Sequence, residues 1–518
     1  MSRINTNVPS LIAQSNLTRS NEDLQLRLER LSTGLRLNRG KDDPAGLIIS
    51  ERIRSDLEGV QQGIKNAERA SSVIATTEGA LTEVSDLLNS IRSLIVESAN
   101  TGGNSAEERA ANKLQIDSAI ESITRIANTA TFGGLKLLDG SQDYIVSGVR
   151  SSAISKAQVF SANFSGNDAI QVDVAVLASA QLGALYMSGF NAGTGGQVTS
   201  STTLRIAGSL GVGTIEVVSG TSLANLINAV NNLKSVTGVS ASLISAADPT
   251  SGVVFNSTTY GSDAFVSVER IGGPSDPAED TVKLYKAADT YQIGAGTGSI
   301  WTEPTAALST SSRDTGRDVT ALVNGTLADS SGLELSIYSS TLSLEMLLNE
   351  DLATSLNSTT SFDITGGGAL FQLGPEVTSL QQSSIGVQSV ASENLGGTLV
   401  DGKLAFLNSL RSGQDNDIRT SASRNDFSQA SNIIATAIDE VSIMRGRLGA
   451  FERNTLSTNV RSLQAAYENL TSSASVIRDA DFAEETSNLT RAQILNQAST
   501  SVLGLANQQA SQVLSLLG

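Results

Sequence analysis

Between residues 44 and 97 apolar side chains return at steps of three, four or seven: Ile53, Leu57, Val60, Ile64, Ala67, Ile74, Leu81, Leu88 and Ile95. Ser71, Glu78, Ser85 and Arg92 fill the intermediate slots of the seven-residue steps. This is the seam of a helix that packs lengthwise on another helix. Asp43 is placed to cap it, and Pro44 suits its first position. At about 1.5 Å per residue such a helix runs roughly 80 Å, so its stripe needs a partner of equal length. The chain carries one near its other end. Ile434, Val441 and Leu448 lie seven apart, and after a one-residue shift the line continues through Leu456, Leu463, Leu470 and Ile477.

Shorter stripes lie outside these two. Leu17, Leu24, Leu28, Leu31 and Leu35 predict a first helix over about 11–34, stopped by Gly34. Asp481 with Glu484 makes a D-x-x-E capping signature for a last helix, which carries Leu489, Leu495, Ala498, Val502, Leu505 and Leu516. A further helix over 105–129 turns Leu114, Ala119, Ile120, Ile123 and Ile126 inward. From about 141 the helical stripes give way to alternating runs such as Ile170–Val176 and Phe362–Ile364, broken by Gly, Ser, Thr and Asn. Within this block, 204–244 reads as a compact strand–helix–strand module. Leu223, Leu226, Ile227 and Val230 form the apolar face of its helix, and Thr221 or Ser222 is the cap.

The predicted fold class is mainly α at the ends, a coiled-coil-like bundle of paired N- and C-terminal helices, with a β-rich, α+β outer region inserted. The expected domains are a terminal helix and connector (1–43), one half of the bundle (44–140), the outer region (141–375), the other half of the bundle (376–480) and a last helix (481–518). The short terminal helices lie beyond the main bundle, and a pair of them alone offers little core. They are expected to be disordered in the monomer and to fold against neighbouring copies, which offsets the ordering cost with intermolecular burial. Leu17, Leu24, Leu28, Leu31, Leu35, Leu489, Leu495, Val502, Leu505 and Leu516 are therefore the candidate self-assembly residues.

Composition narrows the function. The chain has no cysteine and no histidine, which removes disulfides, Cys metal sites and His-based catalysis. Asp42–Asp43 and Asp479–Asp481 lack the alternating oxygen ligands of a calcium loop and read as helix caps and connector contacts. GSLGVG at 208–213 lacks the Lys-Ser/Thr of a phosphate loop and reads as a hairpin turn. Glu107–Glu108 and Glu484–Glu485 sit in early helical turns, where acids favour the dipole. No catalytic residue, cofactor or metal is expected. Net charge is −17, of which residues 141–400 carry −13 and each end only −2. Near-neutral ends suit packing with other copies, and the acidic middle suits a solvated surface. Neither nucleic acid nor membrane is an expected partner, and the N-terminus shows no basic-plus-apolar signal pattern.

The two ends together resemble the bacterial flagellins. RLSTGLRLNRGKDDPAGL (30–47) and TATFGGLKLLDG (129–140) carry the N-terminal resemblance. RGRLGAFERNTLSTNV (445–460), ENLTSSASVIRDADFAEETSNLTRAQIL (468–495) and SVLGLANQ (501–508) carry the C-terminal one. The 204–244 unit resembles the small module inserted in flagellins and hook proteins. The resemblance implies a structural subunit that self-assembles into the flagellar filament, with terminal helices in an inner tube, long helices in an outer tube and the middle exposed. The alternative is the hook–filament junction protein. The resemblance also implies secretion by the flagellar type III system without a cleaved signal. It implies as partners an export chaperone, a filament cap, junction proteins and a co-assembling flagellin paralogue. At the surface positions that a vertebrate innate immune receptor reads in many flagellins, this chain has Ser90, Leu94 and Gln115, with Arg92 as a neighbour. Two charges are lost there, so weak or absent receptor recognition is expected.

Overall fold

The computed structural model describes residues 6–164, 169–188, 190–191, 196–245, 251–272, 283–287, 308–339, 341–400, 403–424 and 426–517. Its helices in chain order are α1 (Val8–Thr33), α2 (Pro44–Ala99), α3 (Ala106–Thr129), α4 (Leu223–Asn231) and α5 (Lys234–Thr237). Then follow α6 (Glu350–Ala353), α7 (Ile418–Arg424), α8 (Ser428–Phe451), α9 (Ser457–Arg478) and α10 (Phe482–Leu517). The chain divides into two compact units. One is built from residues 1–71, 371–382 and 451–518, the other from 72–370 and 383–450.

The first unit joins the two ends of the sequence. It holds α1, the first half of α2, the 371–382 loop, α9 and α10. In its half of α2, Val60, Ala67 and Ala70 are buried, while Ile53, Leu57 and Ile64 are half-buried. Leu456 is buried, and Leu463, Leu470 and Ile477 are half-buried.

The second unit has the tighter helical core. Ile74, Leu81, Leu88 and Ile95 of α2 are buried with Ile116, Ile120 and Ile123 of α3 and Ile434, Val441 and Leu448 of α8. The intermediate slots named in the sequence analysis are not the ones that complete the buried stripe. Thr77, Val84, Ile91 and Ser98, three residues after each seam position, are the buried ones, whereas Glu78 and Ser85 are half-buried and Arg92 is exposed. A helix at about 3.6 residues per turn places both the i+3 and i+4 neighbours near the seam; here the apolar and small residues at i+3 took it. Leu114 is likewise exposed, not inward, and the neighbouring Lys113 is buried on an ion pair with Asp417 at 2.8 Å. A capping box closes the start of α3, with the Glu108 N–H donating to Ser105 Oγ and the Ser105 N–H to Glu108 Oε2.

Among the described residues, the larger sheets of the second unit form two antiparallel sandwiches. In the first, Ile170–Ala178 lies between Thr359–Gly367 and Thr320–Val323. The facing sheet orders Asp329–Ser331, Glu334–Tyr338, Leu342–Leu348 and Ile154–Ala162. Val172, Val174, Val176, Phe362 and Ile364 share one core with Ile154, Leu335, Leu344 and Met346. In the second, the hairpin of Thr202–Gly208 and Val212–Val217 joins through GSLGVG, and α4 packs Leu223, Leu226 and Val230 against Leu204, Ile206, Val266 and Phe255. Ser222 Oγ caps α4 by accepting from the Asn225 N–H. Between 376 and 417, where the helical pattern was expected to resume, the chain runs instead as short strands and 3₁₀ turns; helix begins at Ile418. Among the described residues no helix is long and apolar enough to cross a membrane.

Candidate self-assembly site

Local chemistry sets the ends of the terminal helices. Asn7 Oδ1 accepts from the Ser10 N–H at 3.1 Å and starts α1. Gly34 ends it with φ +71°, a conformation that a side chain disfavours. In the connector, Asp42 Oδ2 accepts from the N–H groups of Arg39 and Asn38 at 2.8 and 3.2 Å. The Arg39 bond is the largest influence and holds that carboxyl below its ordinary range; burial opposes it, and the Asn38 bond adds to the lowering. Asp43 Oδ1 accepts from the Gly46 N–H at 2.9 Å at the start of α2. Asp481 Oδ1 accepts from the N–H groups of Ala483 and Glu484 at the start of α10. The two connectors pair with each other: the Arg36 N–H donates to Arg478 O at 2.7 Å and the Ala480 N–H to Gly34 O at 3.0 Å.

The terminal helices are formed and paired, so each has a partner inside its own chain. Ala13, Ala492 and Ala506 are buried. Leu17, Leu24, Leu31 and Leu489 are half-buried on the same stripes, and Leu35 is half-buried in the connector. The apolar stripe of the sequence analysis does not contain the polar part of this pairing. Glu485, only 8% exposed, takes Arg27 Nη1 at 3.1 Å and Arg30 Nη1 at 3.1 Å. Ser10 Oγ donates to Asn507 Oδ1, and Asn7 Nδ2 to Ala506 O. The available signal was the three-residue spacing of Arg27 and Arg30, which sets two cations on one side of a helix.

Both helices also carry large apolar residues that stay open to solvent. Leu11, Ile12 and Leu28 of α1 and Ile494, Leu495, Val502 and Leu505 of α10 are all exposed. The candidate assembly residues therefore divide. Leu28, Leu495, Val502 and Leu505 are free for a neighbour, whereas Leu17, Leu24, Leu31 and Leu489 are engaged within the chain. Leu516 lies in α10, but its side chain falls outside the described residues.

A second surface feature of the first unit has no counterpart in the sequence reading. Gly59 and Gly63 sit one turn apart on α2 and admit the 371–382 loop. A Cβ at Gly59 would lie 2.8 Å from Pro375 Cβ, and one at Gly63 would lie 3.1 Å from Leu373 O and 3.2 Å from Leu463 Cδ1. Asn459 Nδ2 donates to that same Leu373 carbonyl at 2.8 Å. The loop presents Val377 and Leu380 at 84% and 92% exposure. The G-x-x-x-G spacing in α2 is the signal that was available. Among the described residues no group of three or more His, Cys, Asp or Glu is arranged to hold a metal ion.

Comparison with known proteins agrees with this geometry. Residues 4–143 match the bacterial flagellin N-terminal helical region, residues 431–517 the bacterial flagellin C-terminal helical region, and residues 203–259 the flagellin hook IN motif. A flagellin of Salmonella muenchen is 29% identical, covering 99% of each chain. The B-type flagellin of Pseudomonas aeruginosa is also 29% identical, again covering 99% of each. Among solved structures, Xanthomonas campestris FlgL aligns over 81% of this chain and 98% of its own, at 13% identity and a TM-score of 0.26. Paired end helices around a strand-rich insertion, taken with these matches, mark a structural subunit of the bacterial flagellum. The chain belongs to the bacterial flagellin family.

Proposed function

We infer that the chain is the repeating subunit of the flagellar filament, the helical propeller of swimming motility. The observation that carries this reading is the set of large apolar residues left exposed on the paired α1 and α10 helices, Leu11, Ile12, Leu28, Ile494, Leu495, Val502 and Leu505. Burying one such side chain in a neighbour contributes about 1.5–3 kcal/mol, so a handful is enough to drive association. Identical subunits joined by heterologous contacts that do not close generate a helical polymer. The role is mechanical, and the reading includes no catalytic activity.

The finer parts of the reading follow from family membership. The subunit leaves the cell through the flagellar type III channel without a cleaved signal. A chaperone holds α10 before export, a cap complex guides folding at the tip, and junction proteins meet the filament base. Residues 1–43 and 481–518 form the inner layer, 44–140 and 376–480 the outer layer, and 141–375 the exposed surface. Ser90 and Gln115 are exposed and uncharged, with Leu94 half-buried between. A charge-assisted contact contributes about 1.5–3 kcal/mol, so the innate receptor binds this surface weakly or not at all. Full activation of receptor-bearing cells by the monomer would refute that.

The test is seeded polymerisation of the purified chain, viewed by negative-stain electron microscopy. The full chain is expected to give long tubes. A truncation lacking 1–40 and 482–518 is expected to give none. The double variant Val502→Asp, Leu505→Asp keeps the Glu485 contacts and should stay a folded monomer by circular dichroism. Tubes from either altered chain would overturn the assignment of the terminal helices.

A further inference from the structure

The helix that supplies the C-terminal seam contains one wide turn. From Ser428 to Arg478 it runs as α8, then a π-turn at Glu452–Leu456, then α9. The backbone stays in the right-handed region on both sides, with Phe451 at φ −62°, ψ −46° and Ser457 at φ −65°, ψ −34°. The Ser457 N–H bonds Glu452 O, five residues back instead of four. The same place is marked independently in the sequence. Buried Ile434, Val441 and Leu448 follow a seven-residue step, but the next buried seam residue is Leu456, eight residues on. One residue of α-helix turns the face by about 100°. In an unbroken α-helix the surplus residue would carry Leu456, Leu463, Leu470 and Ile477 off the stripe by that angle. The π-turn absorbs the surplus, and Leu456 remains 1% exposed. Glu452, the first residue of the turn, accepts a hydrogen bond from Ser71 Oγ of α2.

We propose that Glu452–Leu456 is a register joint, a single wide turn that houses one surplus residue and is the place where this long helix yields first. The π-helix is rare, and single-turn π-bulges inside α-helices occur often at functional positions. The Ser71–Glu452 bond holds the joint in its present setting. A subunit gripped by neighbours can take up a change of twist there without opening its seam.

Deleting Asn454, an exposed residue of the joint, restores a seven-residue step from Leu448 to the present Leu456. That variant is expected to fold with an unbroken α-helix and an unchanged or raised Tm. Amide exchange over 451–457, followed by mass spectrometry, should slow roughly ten-fold against the parent chain. Deleting Ser462, also exposed, leaves the joint intact but rotates Leu463, Leu470 and Ile477 away. It is expected to lower the Tm and open α9 to protease. If the Asn454 deletion is as damaging as the Ser462 deletion, or if exchange over 451–457 is already as slow in the parent as in the rest of α8, the proposal is overturned.

Discussion

Glu485 faces two guanidinium groups from a position almost closed to water, so its removal leaves Arg27 and Arg30 without their shared carboxylate. Breaking a fully buried pair costs about 3–5 kcal/mol. The partial exposure of both arginines, 22% and 16%, lowers the expectation for Glu485→Ala to about 2 kcal/mol. The expected result is earlier loss of the first unit in urea and a higher critical concentration for polymerisation, with the second unit unchanged. Asp143 is the opposite kind of acid. Burial pushes its carboxyl up to about 6, and the Tyr144 N–H offsets only part of this. An acid raised on folding is neutral in the folded chain while already ionised in the unfolded one, so its contribution falls as pH rises from about 4 to 6. Asp143→Asn should therefore raise the Tm of the second unit at pH 7.5 and change little at pH 4. Asp417 behaves the other way. Burial raises its pKa, but the Lys113 ammonium and the N–H groups of Thr420 and Gly413 outweigh that and hold the carboxyl below its ordinary range. Its contribution is present at neutral pH and fades as pH falls below the carboxylate range. Asp417→Asn should destabilise the chain at pH 7 and progressively less in acid, as read by thermal melts across pH.

At the scale of elements, a glycine pair sets how closely two of them approach. A Cβ at Gly59 would meet the Pro375 ring at 2.8 Å, closer than real contacts allow. Gly59→Ala is expected to lift the 371–382 loop from α2, at a cost of about 1–3 kcal/mol. New cleavage within that loop on limited proteolysis is the readout, and an unchanged digest would show that the loop shifts freely. The elements themselves were largely legible in the sequence. The stripe through Ile74, Leu81 and Leu88, the Gly34 stop and the Leu223–Val230 face all declare themselves through period and capping chemistry. What stayed hidden has a common physical cause. Glu485, Gly59 and the i+3 line of Thr77 and Ser98 matter because of what lies opposite them, and a single stripe read in isolation says nothing of its opposite number. The eight-residue step before Leu456 was visible as an irregularity, but only backbone geometry turns it into a wide turn.

For the whole molecule, the first unit is stitched from the two ends of the sequence while the second is read almost continuously. Contacts between residues hundreds of positions apart close slowly, because the loop between them must be ordered or bridged first. The second unit should therefore regain its structure before the first on dilution from denaturant. Pulse-labelled exchange would show protection at Ile206 and Ile215, in the local hairpin of the second unit, earlier than at Leu24 and Ala492. The asymmetry bears on synthesis as well. Arg27 and Arg30 leave the ribosome hundreds of residues before Glu485 exists, so an interrupted chain has no means of completing its first unit, whatever the quality of its middle. The pairing of α1 with α10 works as a checkpoint: only a chain translated through α10 can present the joined surface that another copy would accept.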